Sequence, residues 1–444
     1  MTNAQSSAAP LIAETAIPRR LVVAWGLWDW GSAAFNAVIT TFVFTVYLTS
    51  TDAFGGTTEV TAMLSWAMAG AGVLIAAFAP ITGQRSDGSG RRKFWLGVNS
   101  YLVVVVSALL FFIEPQAALL PLALLLLALG TIFYEFATVN YNAMLTQIST
   151  PRTIGRVSGF GWSMGYFGGI VLLLALYFGF IHPDVGLFGV TADNGLSVRV
   201  SMLIAAAWFG LAALPLLLAV PETPRSSAAS ARVSFIDSYR TLGRDIQVLW
   251  RTSRHTVLFL LSSAVFRDGL AGVFTFGGVL AAGTFGFSSG TVIIFAVAAN
   301  IVAGVSTLLV GRLDDRVGPK SVILVSLSGI VTAGLALFIF HAGGSTVFWV
   351  FGLLMCVFVG PAQSASRTFL LRMIPAGREG ELFGLYATTG KAAAFLAPTL
   401  FALFVTVFQA QVFGILGIII VLLAGAFLLI PVRLVRSANQ SLAE

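Results

Sequence analysis

One cysteine and three histidines are all that this 444-residue chain offers to a disulfide or a soft metal. Cys356 has no partner, so an intramolecular bridge or a cysteine metal cluster is excluded. His182, His255 and His341 fall at expected helix ends or loops, so neither a metal site nor a histidine relay across a membrane is expected. Charge is scarce too. Asp, Glu, Lys and Arg make up 10% of the residues, against roughly 25% in an ordinary soluble domain. A Gly-x-x-x-x-Gly-Lys-Ser/Thr phosphate loop is missing, and no soluble domain is left to hold ATP, which argues against a primary pump. No nucleophile, histidine base and metal ligand come together within the apolar stretches. An enzyme is therefore not expected, and no cofactor is.

What is present is hydrocarbon. Apolar residues make up 57% of the chain, in continuous runs and not in the alternation over ~10 residues that a transmembrane barrel requires. The length suffices for about twelve spans of ~20 residues with their loops. The sequence thus predicts an all-α polytopic membrane protein. Its formal net charge of +7 suggests a nucleic-acid partner only until the charges are placed. Arg267, Arg367 and Lys391 lie within spans. All the other Lys and Arg residues except Arg199 fall in segments assigned to one side, from Arg19 and Arg20 to Arg433 and Arg436. The opposite loops carry Asp52, Glu114, Asp184 and Asp193. This positive-inside pattern predicts a multi-pass protein of the cell membrane with both termini cytoplasmic, and no nucleic acid is needed to explain the basic residues. Residues 1–18 are polar and contain Glu14, which reads as a retained tail, not a cleaved signal.

Hydrophobic runs predict spans near 21–48, 59–83, 93–113, 117–147, 155–180 and 199–220, then 255–283, 288–312, 320–341, 345–373, 380–405 and 410–433. The organisation that follows is a tail at 1–20, a six-helix bundle at 21–220, a linker at 221–254, a second six-helix bundle at 255–433 and a tail at 434–444. Within the linker Phe235, Ile236, Tyr239, Leu242, Ile246, Leu249 and Trp250 share a helical face. That pattern fits an amphipathic helix on the cytoplasmic surface, or equally a solvated helix packed on the bundle. The halves also repeat. A shift of 225 residues carries Gly155, Gly159 and Gly165 onto Gly380, Gly384 and Gly390, and Asn142 onto Arg367. Gly83-x3-Asp87-x2-Gly90 recurs as Gly311-x3-Asp315-x2-Gly318. Parallel six-helix repeats with a site near the midplane are a transporter architecture.

Gly83-Gln-Arg-Ser-Asp87-Gly-Ser-Gly90-Arg-Arg-Lys93 and Gly311-Arg-Leu-Asp-Asp315-Arg-Val-Gly318-Pro-Lys320, placed in short cytoplasmic loops, resemble the signature loop of the major facilitator superfamily. The resemblance implies a charge latch between the halves, made by Asp87 with Arg91 or Arg92 and by Asp315 with Arg316. The first copy has Gly88 where the family prefers arginine. The simpler alternative is anchoring by positive charge around a turn. Trp28-Asp29-Trp30-Gly-Ser-Ala-Ala-Phe35-Asn36, the run Ser158 to Gly169, and Gly360-Pro-Ala-Gln363-Ser-Ala-Ser-Arg367 with Phe383-Gly384-Leu-Tyr386 and Lys391 are similar to one branch of the superfamily, the autophagy-related vacuolar effluxers and their bacterial relatives. Phe266-Arg267-Asp268-Gly269 departs from that branch at Arg267. The resemblance implies the major facilitator fold, 12 transmembrane helices in two pseudo-symmetric six-helix bundles. Vacuolar members imply amino-acid export. The fifth span approaches the antiporter motif of the superfamily but has Tyr166 in place of the proline and is one residue short, so antiport is not inferred.

Six ionisable residues inside the spans mark the site: Asp29, Glu135, Arg267, Asp268, Arg367 and Lys391. A charge at the bilayer centre costs at least ~2.5 kcal/mol, so one kept there faces a bundle interior or a wet pathway. Helical spacing aligns Asp29 with Asn36, Glu135 with Asn142, Gln363 with Arg367, and Thr388 with Lys391. Acid on one wall and base on the other would suit a zwitterion, with Arg367 and Lys391 on its carboxylate and Asp29 or Glu135 on its ammonium. The expected substrate-binding set is Asp29, Asn36, Glu135, Asn142, Gln363, Arg367 and Lys391. Alternatively these residues pair across the interface and only hold or gate the bundles. Arg267 and Asp268 read as a coupled structural or gating pair. Protons are the expected driver, because a carboxylate that loses water in a closing cleft binds a proton more tightly. Asp29, Glu135 and Asp268 are the candidates. The expectation is a monomeric secondary transporter of a small polar solute. Another solute class (sugar, nucleoside, drug) and a non-transporting receptor on the same fold are the alternatives.

Overall fold

Backbone groups in hydrocarbon have no water to bond, so a long apolar run satisfies them by coiling into a helix. The computed structural model of the chain contains, among its described residues, twelve helices long and apolar enough to cross a membrane. They are Arg19–Thr49, Glu59–Ser89, Arg92–Phe112, Ala117–Ile148, Ile154–Ile181 and Asp193–Ala219, then Arg254–Gly283, Thr291–Val317, Pro319–Ile339, His341–Met373, Glu379–Phe408 and Gln411–Leu429. We number them spans 1 to 12. The structure describes residues 17–50, 52–222, 244, 247–251, 253–375 and 377–434. Among these no strand forms, and the only β-type pairing is a bridge between Val185 and Thr191. Most of the expected surface helix at 235–250, and most of both tails, lie outside the described residues.

Spans 2 and 8 run beyond their expected ends at 83 and 312, through Ser89 and Val317. Asp87 and Asp315 therefore stand on last helical turns and not in loops. The helices stop at Gly90 and Gly318, whose φ values of +66° and +85° glycine adopts without the steric cost that a Cβ brings. Two spans are irregular at depth. Span 1 loosens into a π-helical stretch at Ala34–Phe42, where the hydroxyls of Thr40 and Thr41 donate to the Asn36 carbonyl at 2.9 and 2.7 Å. Span 11 breaks between Glu379–Ala393 and Leu396–Phe408. Pro398 explains the break: it has no N–H for the Ala394 carbonyl, and its ring crowds that carbonyl.

The halves meet along two crossed pairs, span 2 against span 11 and span 5 against span 8. Both pairs close at the end that carries the basic residues. A Cβ on Gly83 would overlap the Gly380 carbonyl, and one on Gly159 would strike the Thr307 carbonyl. Thr388 donates to the Ala76 carbonyl at 2.9 Å. Beyond that level Leu396–Phe408, the outer half of span 11, packs on spans 7 and 12 and not along span 2, while spans 5 and 8 stay in contact as far as Ser163 and Gly304. Trp66 is 79% exposed, and Gly70 and Gly72 face open space. The result is a cleft sealed at the basic end and open at the other.

Candidate functional site

The N-terminal wall is built on an aromatic stack. Trp25 lies 4.3 Å from Tyr141 and nearly parallel to it, and Trp28 lies 4.2 Å from the other face of the same ring. The indole N–H of Trp25 donates to the Tyr141 carbonyl at 3.1 Å, and that of Trp28 to the Ser100 hydroxyl at 2.9 Å. This fixes the rotation of span 1 and so the direction of Asp29, whose carboxylate accepts the Tyr141 hydroxyl at 3.2 Å. About two helical turns further on, the Asn36 amide donates to the Tyr134 hydroxyl at 2.7 Å.

Glu135 and Lys391 meet across the halves, with 3.0 Å between Oε1 and Nζ and both side chains partly exposed. Glu135 is about 13 residues from the sealed end of span 4 and Lys391 about 12 from that of span 11, or roughly 20 Å of helix at 1.5 Å per residue. Both thus stand near mid-depth. Lys391 also occupies the last turn of the inner half of span 11, where a cation complements the free carbonyl ends of the helix.

Arg367 lies elsewhere. It is about six residues from the sealed end of span 10, buried at 3% exposure. Its Nε donates to the Ser158 hydroxyl at 3.0 Å, Nη1 to Asn142 Oδ1 at 3.0 Å and Nη2 to the Ser158 carbonyl at 2.7 Å. The guanidinium carbon sits 5.0 Å from the Trp25 ring and within electrostatic reach of Asp29. All three acceptors belong to the N-terminal half. Asn142 and Arg367 differ by the 225-residue repeat shift yet touch each other, which puts both beside the pseudo-two-fold axis. Gln363, one turn earlier on span 10, is half-buried.

Arg267 and Asp268 point apart, as neighbours about 100° apart on a helix do. The Asp268 carboxylate accepts the Ala397 N–H at 2.6 Å and so caps the outer half of the broken span 11. Arg267 donates to the Tyr386 carbonyl at 3.2 Å and lies over the Tyr386 ring at 3.8 Å. The Tyr386 ring is itself tied to Ser366 by a hydroxyl contact of 2.7 Å. The expected coupling of Arg267 to Asp268 is therefore absent, and each has a different partner on span 11.

At the sealed end Arg92 bonds Asp87 Oδ1 through Nε at 2.7 Å and reaches Glu379 Oε2 at 2.5 Å. Asp87 accepts the N–H groups of Gly380 and Glu381 at 3.0 Å each. On the other side Asp315 accepts Gly155 N–H at 2.7 Å and Arg156 N–H at 3.0 Å. Each aspartate thus caps the first turn of a helix in the opposite half, where a carboxylate meets free N–H groups and the positive helix end. Arg91 and Arg316 are exposed. Sequence reasoning missed Glu379, Asp314 and Arg372. Asp314 accepts the Thr368 hydroxyl at 2.5 Å and lies 3.5 Å from Arg372. Tyr134, Tyr141, Tyr386 and Ser158 were missed too. A signal for the tyrosines was present: Tyr134 adjoins Glu135, and Tyr141 and Tyr386 fall within two helical turns of Glu135 and Lys391. Among the described residues no group of three or more His, Cys, Asp or Glu is placed to hold a metal ion.

Comparison with known proteins agrees with this architecture. The proton:xylose symporter XylE, bound to 6-bromo-6-deoxy-D-glucose, superposes with a TM-score of 0.72 over 92% of this chain and 94% of its own at 13% identity. The major facilitator superfamily transporter FucP in the outward conformation gives 0.69 over 93% and 97% at 15% identity. In sequence, the uncharacterized MFS-type transporter YxiO of Bacillus subtilis is 26% identical over 411 residues, 91% of this chain and 93% of its own. Autophagy-related protein 22 of Cryptococcus neoformans is 25% identical over 267 residues, 55% of this chain; the match spans 44% of the fungal protein. A family model described as vacuole effluxer Atg22 like matches residues 148–442. The fold, the paired six-helix repeat and these matches identify the chain as a multi-pass major facilitator transporter belonging to the vacuole effluxer Atg22-like family.

Proposed function

We propose that the protein is a proton-driven secondary transporter that moves a small polar solute, an amino acid or another zwitterion, by alternating access. The observation that carries this reading is the contact of Glu135 with Lys391 across the two halves at 3.0 Å, near mid-depth in a cleft sealed at one end. A solute with an ammonium and a carboxylate would insert into this pair, exchanging one ion pair for two. Asn36 and Asp29 border the same wall. Arg367 and Asn142 belong to the seal beneath it, which favours a holding role for them.

The bundles 21–220 and 255–433 act as the two moving bodies in this reading, joined by a cytoplasmic linker at 221–254. The positive-inside pattern assigns the sealed end to the cytoplasm of a cell-membrane protein, which makes the present conformation outward-facing. The word effluxer in the family description supports export. Asp29 is the preferred proton carrier, since its only bonded donor among the described residues is the neutral Tyr141 hydroxyl. Glu135 is tied to a cation and Asp268 to a helix end.

The test is counterflow in proteoliposomes preloaded with single amino acids, with sugars and nucleosides as controls. Accelerated entry of labelled amino acid supports the reading. Binding without counterflow would point to a receptor, and counterflow limited to sugars or nucleosides would replace the substrate class. Uptake unaffected by collapse of the pH gradient would remove the proton.

A further inference from the structure

Pairing the span charges by contact leaves one over. Glu135 is bonded to Lys391. Asp29 and Arg367 lie within electrostatic reach of one another, and the donors of Arg367 are bonded to Ser158 and Asn142. Asp268 is spent on the Ala397 N–H. Arg267 has a carbonyl and a ring for partners, and no carboxylate within 4.0 Å among the described residues. A guanidinium held in a membrane without an acid is costly, and it persists where something else supplies the negative charge.

The position suits a ligand. Arg267 is about 13 residues from the sealed end of span 7, near the same depth as Glu135 and Lys391 by the helical rise. Phe274, two turns along on the same face, meets Tyr166 of the opposite half at 6.4 Å, so this face of span 7 looks towards the N-terminal half and the cleft. Nη1 lies close to Gly390, where a Cβ would stand 3.3 Å away, and Gly390 immediately precedes Lys391. The Tyr386 ring and the Tyr386 carbonyl together hold the guanidinium in place. Nη1 is the atom bonded to the Tyr386 carbonyl, and a guanidinium's remaining N–H groups form the planar fork that matches a carboxylate with two hydrogen bonds.

We propose that Arg267 is the anion anchor of the cleft, receiving the carboxylate or a similarly compact monoanionic group of the transported solute beside Lys391. The proposal rests on the transport reading above and transfers the carboxylate from Arg367, whose donors are engaged in the seal, to Arg267.

Purified full-length protein is tested by thermal shift with two matched pairs, L-leucine against L-leucinamide and benzoate against benzamide. At least one acid is expected to raise Tm while its carboxamide does not. R267Q should lose that acid-specific shift and weaken apparent affinity by roughly 10- to 150-fold, the worth of a charged hydrogen bond. R267K should keep part of it, because the charge remains without the fork. A second measurement needs no solute and no variant: phenylglyoxal labelling mapped by mass spectrometry should modify Arg267 and spare Arg367. An unmodified Arg267 alongside a modified Arg312 overturns the proposal. So do carboxamides that stabilise as well as the acids, or an undiminished shift in R267Q. Counterflow separates the two readings. Counterflow of a neutral solute that R267Q leaves intact sinks the anchor and keeps the transporter. Acid-specific binding without counterflow keeps the anchor and sinks the transporter.

Discussion

Arg367 and Arg267 have the same side chain in the same class of span, and their surroundings assign them opposite work. Arg367 donates three hydrogen bonds across the halves from a buried position, which favours the holding role proposed for it. Replacing it by glutamine should remove about 1.5–3 kcal/mol of preference for that state, shifting the ratio of conformations by roughly 10- to 150-fold. The check is the reactivity, from the basic side, of a cysteine placed at Thr307, which is buried where span 8 meets Gly159, with buried Cys356 replaced as background. No gain in reactivity would mean that the bonds to Ser158 and Asn142 do not hold the seal. The six charges themselves were legible from sequence, since a lone charge in an apolar run is conspicuous. Their partners were not. Adjacent Arg267 and Asp268 invite pairing on paper, but helical rotation sends them to different neighbours. Depth separates Arg367 from Lys391, although both stand in the same half.

At the scale of the element, most span ends were legible to within a few residues because hydropathy sets them. The overruns at Ser89 and Val317 are polar final turns that hydropathy cannot see, and span 6 likewise starts earlier than expected, at Asp193. The break in span 11 was readable in principle from Pro398. Its consequence, a free helix start needing a carboxylate, required the fold to bring Asp268 alongside. D268A should therefore expose the first turn of Leu396–Phe408 and cost about 0.5–2 kcal/mol, the usual worth of a helix cap. Faster hydrogen exchange at 396–399 and a lower Tm are the expected readouts. D268N should restore most of the cap, since asparagine caps as well as aspartate. If D268N abolishes the dependence of transport on a pH gradient while keeping the cap, Asp268 carries the proton and the assignment to Asp29 is wrong.

For the whole molecule, the seal includes a point where backbone meets backbone, Gly83 against Gly380, and there no flexible side chain can move aside. The overlap that a Cβ at Gly83 makes with the Gly380 carbonyl makes G83V a wedge, worth about 1–3 kcal/mol against the sealed state by the usual cost of overpacking. Spin labels at exposed Arg152 and Arg312, one on each half, should report a longer distance by double electron–electron resonance in G83V than in the wild type. An unchanged distance would show that the halves yield locally without tilting. The place of this contact also sets its mechanical leverage. Glu135 and Lys391 stand near the middle of their spans, and Gly83 with Gly380 stands roughly 18 Å nearer the sealed end, about a dozen helical residues. When two rigid arms rock, a tie near the fulcrum hardly changes length, while a contact far out along the arms travels the full stroke. The ion pair is thus suited to sensing a solute in either state, and the glycines to registering which state prevails.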